Sequence, residues 1–120
     1  MEKIITISGK ETGFRASALT PKLYRIETGR DLLIDLARMS DAVKNGSGGI
    51  GTLSILDDFA YILARSYAKT HGLEIEATVD EWLDKFELAD IYEIYPELVQ
   101  LWAQDAQTTS TPQKKTRGKR

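Results

Sequence analysis

Residues 78–107 constrain the fold of this chain more than any other stretch, because they hold both tryptophans and two of the five tyrosines. The stretch opens with Thr78 and Glu81, which have the spacing of a capping box at the start of a helix. Apolar residues then recur at helical spacing, Asp90 has the position of a second cap, and Pro96 predicts a kink just before it or a fresh helix start. We therefore expect a C-terminal helical unit onto which the preceding elements pack.

The N-terminus has the alternation of a β-hairpin, with strands over residues 3–8 and 11–17. Gly9 and Lys10 suit the tight turn between them, because glycine accepts a positive φ. The residues expected to share one face within each strand are Ile5 with Ile7 and Phe14 with Ala16. A two-stranded hairpin is marginal in water by itself, so this one must pack on helices or pair with another chain.

Three helices are predicted between the hairpin and the C-terminal unit, over residues 20–28, 31–44 and about 54–71. Thr20 is expected to cap the first helix, and Gly29 to end it in a left-handed conformation. Ser54 and Asp57 resemble a capping box at the start of the third helix. That helix has the cleanest apolar face, so we expect it to be the most buried.

Together these patterns predict an α+β fold that is mostly α, with an N-terminal β-hairpin followed by a bundle of four to five helices. Residues 1–107 are expected to form a single domain and residues 108–120 a disordered basic tail. Five of the 16 basic residues and none of the 18 acidic residues lie in this tail, so the remainder carries a net charge of −7. Such an acidic body should repel nucleic acid, although the tail can touch phosphates weakly.

No catalytic, cofactor-binding or metal-binding residue is predicted, and we do not expect an enzyme. The chain has no cysteine, which excludes disulfides and cysteine-based zinc sites. Its single histidine, His71, precedes a glycine that should end a helix. The carboxylate pairs at 57–58 and 80–81 lie in predicted first turns, where they stabilise the helix. Glycine-rich residues 45–51 lack the lysine and the preceding strand of a phosphate-binding loop, so they are interpreted as a flexible connection.

The remaining interpretation is an interaction protein. The aromatic side chains of the C-terminal unit outnumber what a core of this size needs, and aromatic residues are typical interface anchors. A ligand pocket is the less favoured interpretation of the same rings. The candidate partner-binding residues are Trp82, Tyr92, Tyr95 and Trp102. The hairpin edge can also accept another strand, which leaves a homo-oligomer open. No membrane partner is expected, because no apolar run reaches about 18 residues.

The order of segments along the chain resembles that of one protein family. The hairpin, with GKE and TGF around its turn, precedes ALTPKLYRIETGRDLLIDL and the apolar helix SILDDFAYILARSYAK. Next come TVDEWLDKFELADIYEIYPELVQLW and a tail that begins QTTSTPQKK. This order, over residues 3–115, resembles the small tail assembly chaperones of long-tailed, siphovirus-type phages and prophages of Gram-positive bacteria.

The resemblance implies a chaperone that acts in the host cytoplasm during infection and is absent from the mature virion. It implies that the chain binds the phage tape measure protein and keeps it soluble while tail tube subunits polymerise around it. It also implies a longer form, made by ribosomal frameshifting, whose extension recruits the tail tube protein.

Two other interpretations fit the same size and helicity. One is a small acidic adaptor or regulatory protein, antitoxin-like or anti-defence, that binds a host partner. The other is a nucleic-acid binder that uses the basic tail, and the charge of the body argues against it. Gene neighbourhood separates the adaptor from a chaperone, because a tape measure gene should lie immediately downstream of a chaperone gene.

Overall fold

A computed structural model describes the backbone of residues 1–44 and 50–110, and the side chains of residues 1–39 and 54–103. Within these residues the chain forms an N-terminal antiparallel hairpin followed by five helices, which confirms the predicted fold class. The strands are β1 (Glu2–Ile7) and β2 (Lys10–Arg15). The helices are α1 (Thr20–Thr28), α2 (Leu32–Lys44), α3 (Ile50–Thr70), α4 (Val79–Asp84) and α5 (Leu88–Ser110).

The hairpin turn lies one residue earlier than predicted. Ile7 pairs with Lys10, so the two turn residues are Ser8 and Gly9. Both have positive φ, 51° and 79°, as the tightest hairpin turn requires, and the serine adopts a conformation that glycine or asparagine usually supplies. The predicted alternation is confirmed, because Ile5 and Ile7 are both buried on one face.

Helix α3, rather than the C-terminal unit, occupies the centre of the fold. It packs against β2 and against each of the other four helices. Its fully buried side chains include Phe59, Ile62 and Leu63, which confirms the expectation that this helix is the most buried. The helix begins at Ile50, earlier than predicted, so Ser54 lies inside it and is not a cap. One hydrophobic cluster joins buried residues from both strands and all five helices.

The starts of α1 and α2 differ in how their free amides are satisfied. The cap of α1 is Leu19, without a side-chain hydrogen bond, so the prediction of Thr20 as the cap is wrong. Thr20 is buried and turns back to accept a hydrogen bond from the backbone of the preceding loop. Asp31 caps α2, because its Oδ1 accepts from the amides of Leu33 at 2.9 Å and Ile34 at 3.2 Å.

Helix α5 is longer and less interrupted than predicted. It begins at Leu88 and continues through Pro96, so neither a cap at Asp90 nor a fresh helix start at the proline is observed. Residues 108–110, predicted to belong to the basic tail, are its last residues. The rest of the predicted tail, residues 111–120, lies outside the described residues, as do residues 45–49 of the predicted glycine-rich connection.

The hairpin turn also caps α5 from across the molecule. The Ser8 hydroxyl accepts a hydrogen bond from the amide of Glu87 at 3.0 Å, immediately before the helix. The same hydroxyl donates to Oδ2 of Asp90 at 2.7 Å. The hairpin turn therefore supplies the hydroxyl that a capping residue next to the helix in sequence would ordinarily supply.

A buried carboxylate fixes α1 and α2 relative to one another. Oδ2 of Asp35 on α2 accepts from the Tyr24 hydroxyl on α1 at 2.6 Å and from Nε of Arg30 at 2.8 Å. Nη2 of Arg30 also donates to Oδ2 of Asp58 on α3 at 3.1 Å. Burial of a charge is tolerated when it is paired and hydrogen-bonded in this way.

Candidate functional site

The four aromatic residues predicted to bind a partner do not form one surface. Trp82 and Tyr95 are only 1% and 3% exposed, and Trp102 is partly buried with its ring edge-on to Phe59 at 6.4 Å. Tyr92 is 38% exposed. The hypothesis that these rings exceed the needs of the core is therefore wrong for Trp82 and Tyr95, which are part of the core. Tyr92 is accessible to a partner.

Trp82 is the centre of an aromatic cluster that positions α4. Its ring makes edge-to-face contacts with Phe14 at 6.2 Å, Tyr61 at 6.0 Å and Phe86 at 5.1 Å. These contacts join α4 to β2 and α3, and each adds a directional preference to the burial of a large apolar surface. Thr78 supports the same helix as its cap, because Oγ1 accepts from the amide of Glu81 at 3.2 Å, which confirms that prediction.

A groove of about 380 Å³ lies between α4 and the first turns of α5, and we call it the α4–α5 groove. Its apolar lining consists of Leu83, Phe86, Leu88, Ile91 and Tyr92. Phe86 and Ile91 are buried, whereas Leu88 is 67% exposed and stands one helical turn from Tyr92. The groove therefore has an apolar floor and an apolar wall that water still reaches.

Three carboxylates, Asp57, Asp80 and Asp84, line the same groove. Asp80 and Asp84 stand one turn apart on α4, and within the part of the chain whose side chains are described neither forms an ion pair. Lys85 is adjacent in sequence but pairs with Glu76 at 3.1 Å on another side of the helix. Among the side chains that the structure describes, no basic residue lines the groove, so its rim carries uncompensated negative charge.

Buried Tyr95 holds the third carboxylate of the groove, Asp57, in place. Its hydroxyl donates a hydrogen bond to Oδ1 of Asp57. Burial raises the pKa of Asp57, the hydrogen bond from Tyr95 opposes that shift in part, and the charge of Asp58 adds to it. Burial and then the bond to Asp57 raise the pKa of Tyr95 far above its ordinary value, so this phenol stays neutral. Tyr95 acts as a support beneath the groove instead of as a surface anchor.

Sequence reasoning missed the groove residues Asp80, Asp84 and Leu88. Asp80 was assigned with Glu81 to the first turn of a helix, where carboxylates need no further explanation, and Asp84 was not singled out. Leu88 was not singled out. Its spacing carried no signal of exposure, because it lies three residues before Ile91 and seven before Tyr95, in phase with the buried face, and it is exposed as the first residue of α5.

The groove offers apolar contact and negative charge. Among the described residues no group of three or more histidine, cysteine, aspartate or glutamate side chains is arranged to hold a metal ion. The ring of His71 stacks on Tyr67 with centroids 4.1 Å apart, and its Nε2 lies 3.1 Å from the carboxylate of Glu2. Within the same residues no helix combines the length and apolarity needed to cross a membrane.

Comparisons with known proteins assign no family to this chain. Searches against protein-family models, curated proteins and solved structures gave no match. The order of sequence segments and the geometry of the α4–α5 groove are therefore the observations from which a function is argued.

Proposed function

We propose that this chain is a tail assembly chaperone of a long-tailed phage or prophage, which binds the tape measure protein and keeps it soluble during tail morphogenesis. The order of segments over residues 3–115 supports the family. The structural observation that carries the proposal is the exposed apolar pair Leu88 and Tyr92 beside the unpaired carboxylates Asp80 and Asp84.

A tape measure protein presents a long helix with an apolar stripe, and such a surface aggregates unless it is covered. An apolar groove can cover one segment of that stripe. The acidic body, with its charge of −7, then keeps the complex in solution by repulsion between complexes. The same proposal includes a longer, frameshifted form that recruits the tail tube protein.

Co-expression tests the proposal directly. The full chain is produced together with the tape measure protein encoded in the same genome, expected immediately downstream, and the soluble fraction of the tape measure protein is measured. We expect a soluble complex that copurifies, whereas an unrelated acidic protein of similar size leaves the tape measure protein insoluble. An insoluble tape measure protein in both cases would reject the chaperone function.

Mass spectrometry of purified virions is a second test, because the proposal implies a protein that acts in the host cytoplasm and leaves before assembly is complete. The chain is expected in infected-cell lysate and not in finished particles. Stoichiometric recovery from particles would identify a structural component of the virion instead.

A further inference from the structure

The outer side of α1 and the residue before it form an amphipathic surface. Leu19 and Ile26 are 49% and 68% exposed, and Leu23 between them is partly buried. Lys22 and Arg25 are exposed beside this apolar row, at positions that the helical repeat places next to one another. Within the described side chains neither of these two forms an ion pair. We call these five residues the α1 outer face.

The α4–α5 groove has the complementary arrangement. Asp80 and Asp84 lie four residues apart on α4, and Leu88 and Tyr92 lie four residues apart on α5. Residues four apart on a helix are neighbours on its surface, so each wall of the groove presents two adjacent side chains. This spacing matches the side chains at i, i+3 and i+4 by which a helix docks into a groove. We infer that α1 of a second copy of this chain binds in the α4–α5 groove, with its lysine and arginine against the aspartates and its apolar row against Leu88.

The two surfaces belong to different parts of one molecule. α1 packs on α2 and α3, with Tyr24 buried on the side opposite its outer face. The walls of the groove are α4 and α5. Contact between the two surfaces therefore joins separate copies, and because the surfaces differ, the contact propagates into a ring or an open chain.

Residues 111–120 of the chain are a competing occupant, because TPQKKTRGKR holds five basic residues. Helix α5 carries its last residue, Ser110, about 33 Å from Leu88, since each helical residue rises about 1.5 Å. Ten extended residues span at most about 36 Å, so they reach back only when fully stretched. They also contain no aliphatic or aromatic side chain for the apolar floor. The α1 outer face satisfies both the charged rim and the apolar floor, which favours it.

Complementary charge reversal tests this inference on the purified full chain. Sedimentation equilibrium from micromolar to millimolar concentration measures self-association of the wild type, of Lys22→Glu/Arg25→Glu, and of Asp80→Lys/Asp84→Lys. We expect at least a tenfold weaker association constant for each double variant alone. An equimolar mixture of the two should recover association, because each then supplies the surface that the other lacks.

Matched leucine substitutions distinguish binding in the groove from nonspecific association through any exposed apolar side chain. Leu88→Ser should weaken self-association at least tenfold, whereas Leu73→Ser, at a leucine 57% exposed outside both surfaces, should leave it unchanged. Circular dichroism melting verifies that each variant remains folded. A wild type that stays monomeric at every concentration overturns the inference, as does a mixture that fails to recover association. Loss of association on deletion of residues 111–120 would identify that segment as the occupant instead.

This inference goes beyond the chaperone function and does not rest on it. The sedimentation measurement uses the chain alone, and the co-expression test uses the tape measure protein, so each result stands independently. A monomeric chain that solubilises a tape measure protein leaves the chaperone function intact. A self-associating chain that does not solubilise one leaves the interface intact.

Discussion

Gly13 shows how one residue sets a close approach between the hairpin and α3. A methyl group added at Gly13 would overlap the ring of Tyr67. That ring stacks on His71, which limits how far it can move. We expect Gly13→Ala to lower the free energy of unfolding by about 1–3 kcal/mol, the usual range for overpacking, as measured by urea denaturation.

A double-mutant cycle provides the control for this prediction. In a Tyr67→Ala background the added methyl group has no ring to meet, so Gly13→Ala should have little effect there. If the glycine substitution is equally destabilising with and without the ring, the explanation lies in the backbone and the packing argument is wrong.

Asp35 is a buried carboxylate whose hydrogen bonds should make stability depend on pH. Burial would raise the pKa of this carboxyl, but hydrogen bonds from Tyr24 and Arg30 outweigh it and hold the pKa below its ordinary value. Burial, together with the bond to Asp35, raises the pKa of Tyr24 to about 12, so the tyrosine remains a donor at neutral pH. The folded state therefore favours the charged form of Asp35.

We expect Asp35→Asn to lower the free energy of unfolding by about 2 kcal/mol at pH 7, because a hydrogen-bonded charge is lost. The stabilisation by a depressed carboxyl pKa is complete above the unfolded-state value of about 3.9 and disappears as pH falls through the folded-state value. The difference between wild type and variant should therefore shrink below about pH 4 in urea denaturation. Asp84→Asn, at an exposed and unpaired carboxylate, is the control and should show no such loss. A difference that stays constant to low pH would contradict the assignment.

At the scale of elements, Ser8 couples the hairpin to α5. Ser8→Ala removes the acceptor for the Glu87 amide and the donor to Asp90, and it leaves an alanine at φ 51°. We expect a loss of about 1–2 kcal/mol, the upper range for a helix cap, measured by urea denaturation. Hydrogen exchange should quicken most at the first amides of α5.

Ser8→Gly separates the cap from the backbone conformation. Glycine loses the same two hydrogen bonds but accepts the left-handed turn, so it should be less destabilising than alanine. Equal stability of the alanine variant and the wild type would show that the hydroxyl contributes nothing to α5.

Sequence patterns predicted the helix ends that are set by residues within a few positions of the end itself. Gly29 ends α1 with φ 75°, and Thr78 caps α4 through an amide three residues away. Prediction failed at Asp90 because its partner, Ser8, is 82 residues away and the contact exists only after the fold has formed. It failed at Thr20 for a local reason, because the hydroxyl accepts from the amide of Ser17, three residues earlier, instead of from an amide of α1.

The candidate site was predicted less well than the fold, for a physical reason. Composition counts aromatic rings but does not show which way they point, so buried Trp82 and exposed Tyr92 were treated alike. Asp80 was interpreted as part of a helix start and Asp84 was not singled out, because their position beside Leu88 depends on where α4 and α5 lie in the fold. Partner binding at Tyr92 stays a prediction, as does pairing at the hairpin edge.

At the scale of the whole molecule, the charge is divided between an acidic body and basic residues near the C-terminus. Removing residues 111–120 should leave the free energy of unfolding unchanged, because the continuous core lies within the described residues. Filter binding at low salt should detect weak duplex DNA binding only with these residues present, and physiological salt should abolish it. DNA binding by residues 1–110 alone would contradict the charge argument.

Self-association and tape measure binding are both proposed to use the α4–α5 groove, so they should compete. Adding a soluble tape measure fragment to the self-associated chain is expected to release single copies in sedimentation velocity runs. Asp80→Lys/Asp84→Lys should fail in both activities. Simultaneous binding of the fragment and a second copy would show that the two partners use separate surfaces.

The hydrogen bond between Ser8 and Asp90 spans 82 residues, which has a consequence for synthesis on the ribosome. At roughly 5–20 residues per second, Ser8 is added to the growing chain about 4–16 s before Asp90. During that interval Ile5 and Ile7, which are buried in the folded protein, lack the helix that packs against β1. A chain proposed to protect another polypeptide from aggregation thus passes through an unprotected stage of its own each time it is translated.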